Sequence, residues 1–294
     1  MRVLVTGING QLGYDVVKEL QNRNHTPIGV DREDMDLTSP EQIKECIQNV
    51  KPEVIIHCAA YTAVDAAEDN EELCRRVNAL AVKDIAECAK ELDIPMIYIS
   101  TDYVFNGKKG IETEDKMSNK DNYKECLEND NTNPVNLYGK TKLEGELYVR
   151  ELLEKYYIVR ISWVFGENGN NFIDTMLRLS KDRSELNVID DQIGSPTYTK
   201  DLAPLLVDMI ETDKYGTYHA TNDGFCSWYE FAREIFNIAN IDITVNPIPT
   251  SQYPTRAARP INSKMSKQKL IDNGFSKLRS WNDALKDYIP NKTR

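Results

Sequence analysis

The sequence predicts an α/β fold with a doubly wound parallel sheet, followed by a smaller C-terminal lobe. Three observations carry this. Short apolar runs alternate with longer amphipathic ones through the first half. The first run leads straight into a glycine-spaced turn, "VTGINGQLG". After Gly166 the alternation loosens into shorter elements joined by proline-containing connections.

The elements follow in order. "RVLVT" (2–6) reads as a strand, and 13–22 as a helix with Leu12, Val16, Val17 and Leu20 on one side. "TPIGV" (26–30) is a strand and 40–50 a helix; "EVIIHCAA" (53–60) is a strand and 73–92 a long helix. "PMIYIS" (95–100) is the fourth strand, 136–156 a helix, and "YIVRISWVFG" (157–166) the fifth strand. Apolar runs separated by helical lengths imply parallel strands covered on both faces. Right-handed crossovers then wind the sheet in both directions. Beyond it, 170–182, 199–212 and 227–240 look helical, with Pro196, Pro247, Pro249, Pro254 and Pro260 between them. The expected division is 1–166 for the sheet domain and 167–294 for a smaller lobe that is not independent, with parts of the chain crossing between them. The polar stretch "DKMSNKDNYKECLENDNTNP" (115–134) interrupts the scheme. It reads as a solvated insertion; a loop over the mouth of a site is the other reading.

At 294 residues the chain can bury a full core without metal or disulfide staples. A net charge of −11 argues against nucleic acid or an anionic membrane as partner. None of the six cysteines forms a C-x-x-C pair, which fits small core residues in a reducing compartment. The chain starts directly with a strand and has neither a signal-like stretch nor a run long enough to span a bilayer, so a cytoplasmic location is expected.

The glycine turn sits where a dinucleotide needs it, between the first strand and the first helix. Gly7 permits the turn, Gly10 lets the backbone approach a pyrophosphate, and Gly13 lets helix and strand pack closely. The helix start offers N–H groups and a positive dipole end to phosphate. Asn9, Gln11 and Leu12 share that turn and belong to the same expected site. The sheet is therefore expected to be Rossmann-type. The second strand ends in "GVDRED". Asp31 there favours the ribose hydroxyls of NAD, and the neighbouring Arg32 favours the 2′-phosphate of NADP, so both cofactors stay open. Asp36 and Leu37 are placed to flank the adenine. Ala59, Ala60, Tyr61 and Thr62 end the third strand at the edge along which a dinucleotide passes; His57 reads as a buried strand histidine.

Three Tyr-x-x-x-Lys pairs occur: Tyr14/Lys18, Tyr138/Lys142 and Tyr288/Lys292. Spacing alone puts each pair on one helix face. Tyr14 and Lys18 fall in the helix behind the glycine turn, and Pro290 is expected to break the register of the last pair. Tyr138 and Lys142 follow "YISTDYVF" (98–105), whose Thr101 emerges at the same sheet edge as the glycine turn. Thr101, Tyr138 and Lys142 can then converge. A lysine ammonium is expected to lower the tyrosine pKa, making it a usable proton donor to a carbonyl whose oxygen the threonine holds.

With "TGINGQLG", "STDYVF" and "NLYGKTKLEGE", the chain resembles the extended short-chain dehydrogenase/reductases. Adding "AAYTAVDAAE", "VNA", "RISWVFGENGNNF", "DQIGSPT" and "ARPINS", it resembles more narrowly the dTDP-4-dehydrorhamnose reductase family, over residues 6 to 263. The resemblance implies NAD(P)H-dependent reduction of the C4 keto group of dTDP-4-dehydro-6-deoxy-L-mannose to dTDP-L-rhamnose, the last step in making that polysaccharide precursor. NADPH is the implied cofactor, with NADH possible. Thr101, Tyr138 and Lys142 would be catalytic. Asp102, Tyr103 and Val104 would line the substrate side, with Trp163 near the sugar. Asn171 and Gln192 would approach the dTDP moiety, and Arg256 or Arg259 would neutralise its diphosphate. In isolation Trp163 reads as a core aromatic and the arginines as solvated. Some family members dimerise around Mg²⁺. Asp15 matches one acidic position but has Asp for the expected Glu, so no essential metal is expected, and the chain is expected to be a monomer or homodimer. Two alternatives compete. A nucleotide-sugar epimerase or dehydratase is one, though a dehydratase needs an Asp-Glu pair where this chain has Asp102 and Tyr103. The other is a non-catalytic subunit like the regulatory subunit of methionine adenosyltransferase, against which the intact Thr101, Tyr138 and Lys142 argue.

Overall fold

The computed structural model describes residues 1–111, 113 and 119–292. The first half runs β1 (Arg2–Thr6), α1 (Gln11–Asn22), β2 (Thr26–Val30), α2 (Pro40–Val50) and β3 (Val54–His57). Next come α3 (Val64–Ala67), α4 (Glu71–Arg75), one π turn (Arg76–Leu80) and α5 (Ala81–Glu91). Then follow β4 (Met96–Thr101), α6 (Leu137–Leu152) and β5 (Tyr156–Ile161). Side chains fix several of the starts. Ser39 caps α2, with Pro40 at its first position, and Asn136 caps α6 by accepting from the Gly139 N–H at 2.7 Å.

The second half holds β6 (Val164–Phe165), α7 (Phe172–Leu179), β7 (Glu185–Ile189), β8 (Ile193–Gly194) and β9 (Thr197–Tyr198). It continues through α8 (Thr199–Ile210), β10 (Gly216–His219), β11 (Cys226–Ser227), α9 (Trp228–Ala239) and β12 (Thr244–Ile248). It ends with α10 (Gln268–Asp272) and α11 (Trp281–Lys292).

Six strands form one parallel sheet in the order β10-β5-β4-β3-β1-β2. The order reverses between β1 and β3, which opens a crevice at their carboxyl ends. Each face carries its own core. Val3, Val5, Ile56 and Val159 pack with α1 and with Leu202, Leu205 and Leu206 of α8. On the other face Leu4, Ile55, Tyr98 and Ile158 pack with α2, α5 and Val149 of α6. A third core joins Ile173, Leu186, Val188, Phe231, Ile235 and Leu285 in the C-terminal lobe. Residues 199–219 thus return to the sheet, and β10 becomes its sixth strand.

Three local expectations are corrected. The run 157–166 is not one strand: Trp163 takes φ +50° and turns the chain, so that β6 leaves the sheet and pairs with β9. Pro290 does not break the last helix, because α11 runs through it to Lys292. A proline so near a helix end deletes a single hydrogen bond. The stretch 115–134 is only in part a solvated insertion where it is described, from residue 119: many of its side chains are exposed, but two anchor it inside. Tyr123 and Cys126 are buried, and the backbone pairs with Lys109 and Lys264. Residues 115–118 lie outside the described residues.

Candidate active site

The cofactor side is built mostly from backbone. Gly7 has φ +72°, and a Cβ there would meet the Ala59 backbone at 2.9 Å. A Cβ on Gly13 would sit 2.3 Å from the Gly7 carbonyl oxygen. No side chain caps the first turn of α1, so its leading N–H groups stay available to an anion. A cavity of about 290 Å³ continues from this turn, lined by Gly7, Asp31, Arg32, Asp36, Leu37, Ala59, Ala60 and Tyr61. Thr62 is exposed and not part of that lining, and the Leu12 side chain lies in the core. Asn9 donates its N–H to Asp31 Oδ2 at 3.0 Å, and Arg32 donates its N–H to Asp31 Oδ1 at 2.8 Å. Asp31 thereby fastens the glycine turn to β2. The Arg32 guanidinium makes no hydrogen bond or ion pair among the described residues. An open cradle with an uncapped helix start and a free guanidinium fits a phosphorylated dinucleotide.

Beyond the β4 end lies a group of buried polar side chains. The Thr101 hydroxyl donates to Asp102 Oδ1 at 2.9 Å and also meets the Tyr138 phenol. Burial and the nearby Asp102 push the Tyr138 pKa up, and the Thr101 hydroxyl pulls against them. The expected lowering by Lys142 gives way to this. Lys142 is 2% exposed, and its ammonium lies 4.0 Å from the Tyr98 ring centroid. Burial brings its pKa down to about 7, with Glu146 acting in the opposite direction. Asp102 is 3% exposed, and burial raises it to about 6 against hydrogen bonds from Ser263 and Thr101.

The substrate-side expectations divide. Tyr103 meets Tyr138 edge to face at 5.6 Å, and Arg259 donates to the Tyr103 hydroxyl at 3.1 Å. Arg259 also pairs with Asp65 at 2.6 Å, and Arg256 pairs with Asp69 further out. The segment carrying both arginines is held over this edge by Asn136 Nδ2, which donates to the Ala258 carbonyl at 2.7 Å. Val104 is fully buried in a small core with Phe105, Cys126 and Met265. Trp163 is wedged between Gly194 and the Trp228 ring, with stacked centroids 3.7 Å apart. Gln192 is buried and donates to Thr250. Asn171 is not brought to this group. It caps α7 and donates to Gln11 and to the Tyr288 hydroxyl.

The other Tyr/Lys pairs have plain roles. Lys18 lies over the Tyr14 ring at 4.1 Å on the outer side of α1. Tyr288 is fully buried in the C-terminal core, its hydroxyl on the Gly166 carbonyl. His57 is buried, with Nδ1 2.8 Å from the Thr6 hydroxyl. Asp15 is buried and accepts from the Thr199 hydroxyl; among the described residues no set of three or more His, Cys, Asp or Glu gathers in a way that could hold a metal.

Sequence reasoning missed Asn78 and Glu146. Asn78 sits in the π turn and clamps the Tyr61 backbone, accepting from its N–H at 2.8 Å and donating to its carbonyl at 3.0 Å. The Asn78 carbonyl accepts from the Tyr98 hydroxyl. π turns often mark functional sites, but nothing local in "RVNAL" announces one. Glu146 lies one turn past Lys142 in "KLEGE", and nothing in the local sequence marks it as buried.

The family model described as "RmlD substrate binding domain" matches residues 1–294. A dTDP-4-dehydrorhamnose reductase of Aggregatibacter actinomycetemcomitans is 40% identical over 97% of this chain and 97% of its own. This chain belongs to the dTDP-4-dehydrorhamnose reductase family. Among solved structures in that family, the Bacillus anthracis reductase in complex with NADP superposes with a TM-score of 0.91 at 41% identity, covering 99% of both chains. The Clostridium acetobutylicum reductase does so with a TM-score of 0.93 at 41% identity over the whole of both chains. Among the described residues no helix is long and apolar enough to cross a membrane.

Proposed function

We propose that this chain reduces the C4 keto group of dTDP-4-dehydro-6-deoxy-L-mannose to dTDP-L-rhamnose with NADPH. The observation that carries the reading is Thr101, Tyr138 and Lys142 beside the glycine-turn cradle, in a chain of this family. Bound NADPH supplies the hydride. The residues of the chain do the rest. Gly7, Gly10 and the α1 start would hold the pyrophosphate, and Arg32 the 2′-phosphate. The Thr101 hydroxyl would hold the substrate O4. Tyr138 would pass its phenolic proton to O4 as C4 is reduced; a phenol kept protonated by burial suits that donor role. The Lys142 ammonium would offset the phenolate charge left behind and face the cofactor ribose. Arg259, already beside Tyr103, would exchange its Asp65 partner for the diphosphate of the substrate.

We further propose the division of labour at residue 166, with the sheet serving the cofactor and the later lobe serving the nucleotide sugar. The test is a spectrophotometric assay with the 4-keto sugar and NADPH or NADH, with the product identified by chromatography. Consumption of NADPH with formation of dTDP-L-rhamnose is expected. An intact keto sugar with no cofactor consumed sinks the reading, and redox-neutral conversion favours an epimerase.

A further inference from the structure

Glu146 is fully buried on α6, one helical turn beyond Lys142. Its carboxylate accepts from Ser100 Oγ at 2.6 Å, from Arg160 Nε at 2.8 Å and Nη2 at 2.7 Å, and from Arg150 Nη2 at 2.7 Å. Ser100 directly precedes Thr101 on β4, and Arg160 lies on β5 as the strand partner of Ser100. One carboxylate therefore ties together the strand that ends in Thr101, the helix that bears Tyr138 and Lys142, and the next strand. Resting on the reading above, we infer that Glu146 is a positioning residue for the reduction, fixing Thr101 against Tyr138 and lending Lys142 the one negative charge near it among the described residues.

Lys142 is enclosed by groups from several neighbouring elements. The groups that face it are His57 and Cys58 from the end of β3, Tyr98 from β4, Cys74 from α4, and Glu146. Burial pushes His57 down to about 3 and Cys58 up to about 12. It also raises Cys74 and Tyr98. All four are neutral near pH 7, which leaves Glu146 as the charged neighbour. Asp102 acts on Tyr138 instead. Around Glu146 itself stand the guanidinium groups of Arg150 and Arg160. Arg160 lies 3.4 Å from His219 Nε2 and donates to the Glu128 carbonyl. Without the Glu146 charge, both guanidinium groups would push the Lys142 ammonium toward its neutral form.

The experiment uses the full chain with NADPH and ε-¹³C-labelled lysine, with Lys142→Arg identifying the resonance. Glu146→Gln keeps the volume and removes the charge. Its Lys142 midpoint is expected to fall by about one pH unit or more. Its kcat near pH 8 is expected to fall by ~10-fold or more, with KM held within about twofold. Ser100→Ala keeps the charge and cuts only the link to the strand. It is expected to lose ~3–10-fold in kcat with the Lys142 midpoint unchanged and Tm lowered by only a few degrees. An unchanged midpoint in folded Glu146→Gln, or wild-type kcat in Ser100→Ala, overturns the inference. If Glu146→Gln does not fold, Ser100→Ala decides. If the wild-type chain fails to reduce the dTDP-sugar, the functional reading falls, and the Lys142 titration still judges Glu146.

Discussion

The two sides of the crevice are made differently. On the β1–α1 side, shape comes from backbone: a left-handed Gly7, a Gly13 with no room for a Cβ, and an uncapped helix start. On the β4–α6 side, shape comes from buried titratable side chains, with Asp102, Lys142 and Glu146 all nearly inaccessible to water. A site made of backbone tolerates changes in side chains but no added atom. A site made of buried charge tolerates little change in protonation. The contrast teaches where each kind of substitution does harm.

The largest expected effect lies on the second side. Tyr138→Phe removes the proposed proton donor and should lower kcat by roughly 10²–10⁴-fold. NADPH affinity, measured by fluorescence titration, should stay near wild type. A variant that turns over at near wild-type rate refutes the assignment. Gly13→Ala should do the reverse. Its Cβ would overlap the Gly7 carbonyl, so NADPH binding should weaken by ~10–100-fold and Tm should fall. Unchanged affinity would mean that the turn shifts freely.

Asp102 sharpens the comparison through pH. Its pKa is about 6 in the folded chain against 3.8 for the free group. Between these values the folded state binds more protons than the unfolded one, so stability falls as pH rises from about 4 to about 6. The full drop corresponds to ~3 kcal/mol. Asp102→Asn should flatten that slope, raising Tm above wild type at pH 7 and matching it near pH 4, by differential scanning calorimetry. Identical Tm curves would show that the carboxyl is better solvated than its burial implies. The smallest effect belongs to Arg32→Ala, whose guanidinium is exposed. The kcat/KM with NADPH should drop ~3–10-fold while that with NADH changes little. Equal losses with both cofactors would remove Arg32 from 2′-phosphate recognition.

The same contrast explains what could be read from the chain alone. The glycine turn was legible because its parts are adjacent and their spacing reflects backbone geometry. Thr101, Tyr138 and Lys142 were legible because a strand end and an i,i+4 pair are local patterns. Asp65 was not, because its partner Arg259 is 194 residues away. Glu146 was hidden for the same reason, since Ser100 is 46 residues off. In the fold, the alternation revealed five of the sheet strands. β10 escaped because "GTYH" is short, half polar and follows no β-branched run. The break at Trp163 escaped because a left-handed tryptophan has no sequence signature, unlike a glycine. The helix through Pro290 shows a local rule overridden by packing, with Leu285, Tyr288 and Ile289 anchored in the C-terminal core.

Arg160 has a consequence for how the chain folds. It is paired across the strands with Ser100, so both side chains point to the face where Glu146 waits. If β5 slid by one residue, the guanidinium would swing to the opposite face, among Ile97, Ile99 and Leu206. There it would be a bare cation in oil, a mistake costing several kcal/mol. The ion pair thus sets the register: Glu146 rewards the one alignment of β5 that brings Arg160 to its face.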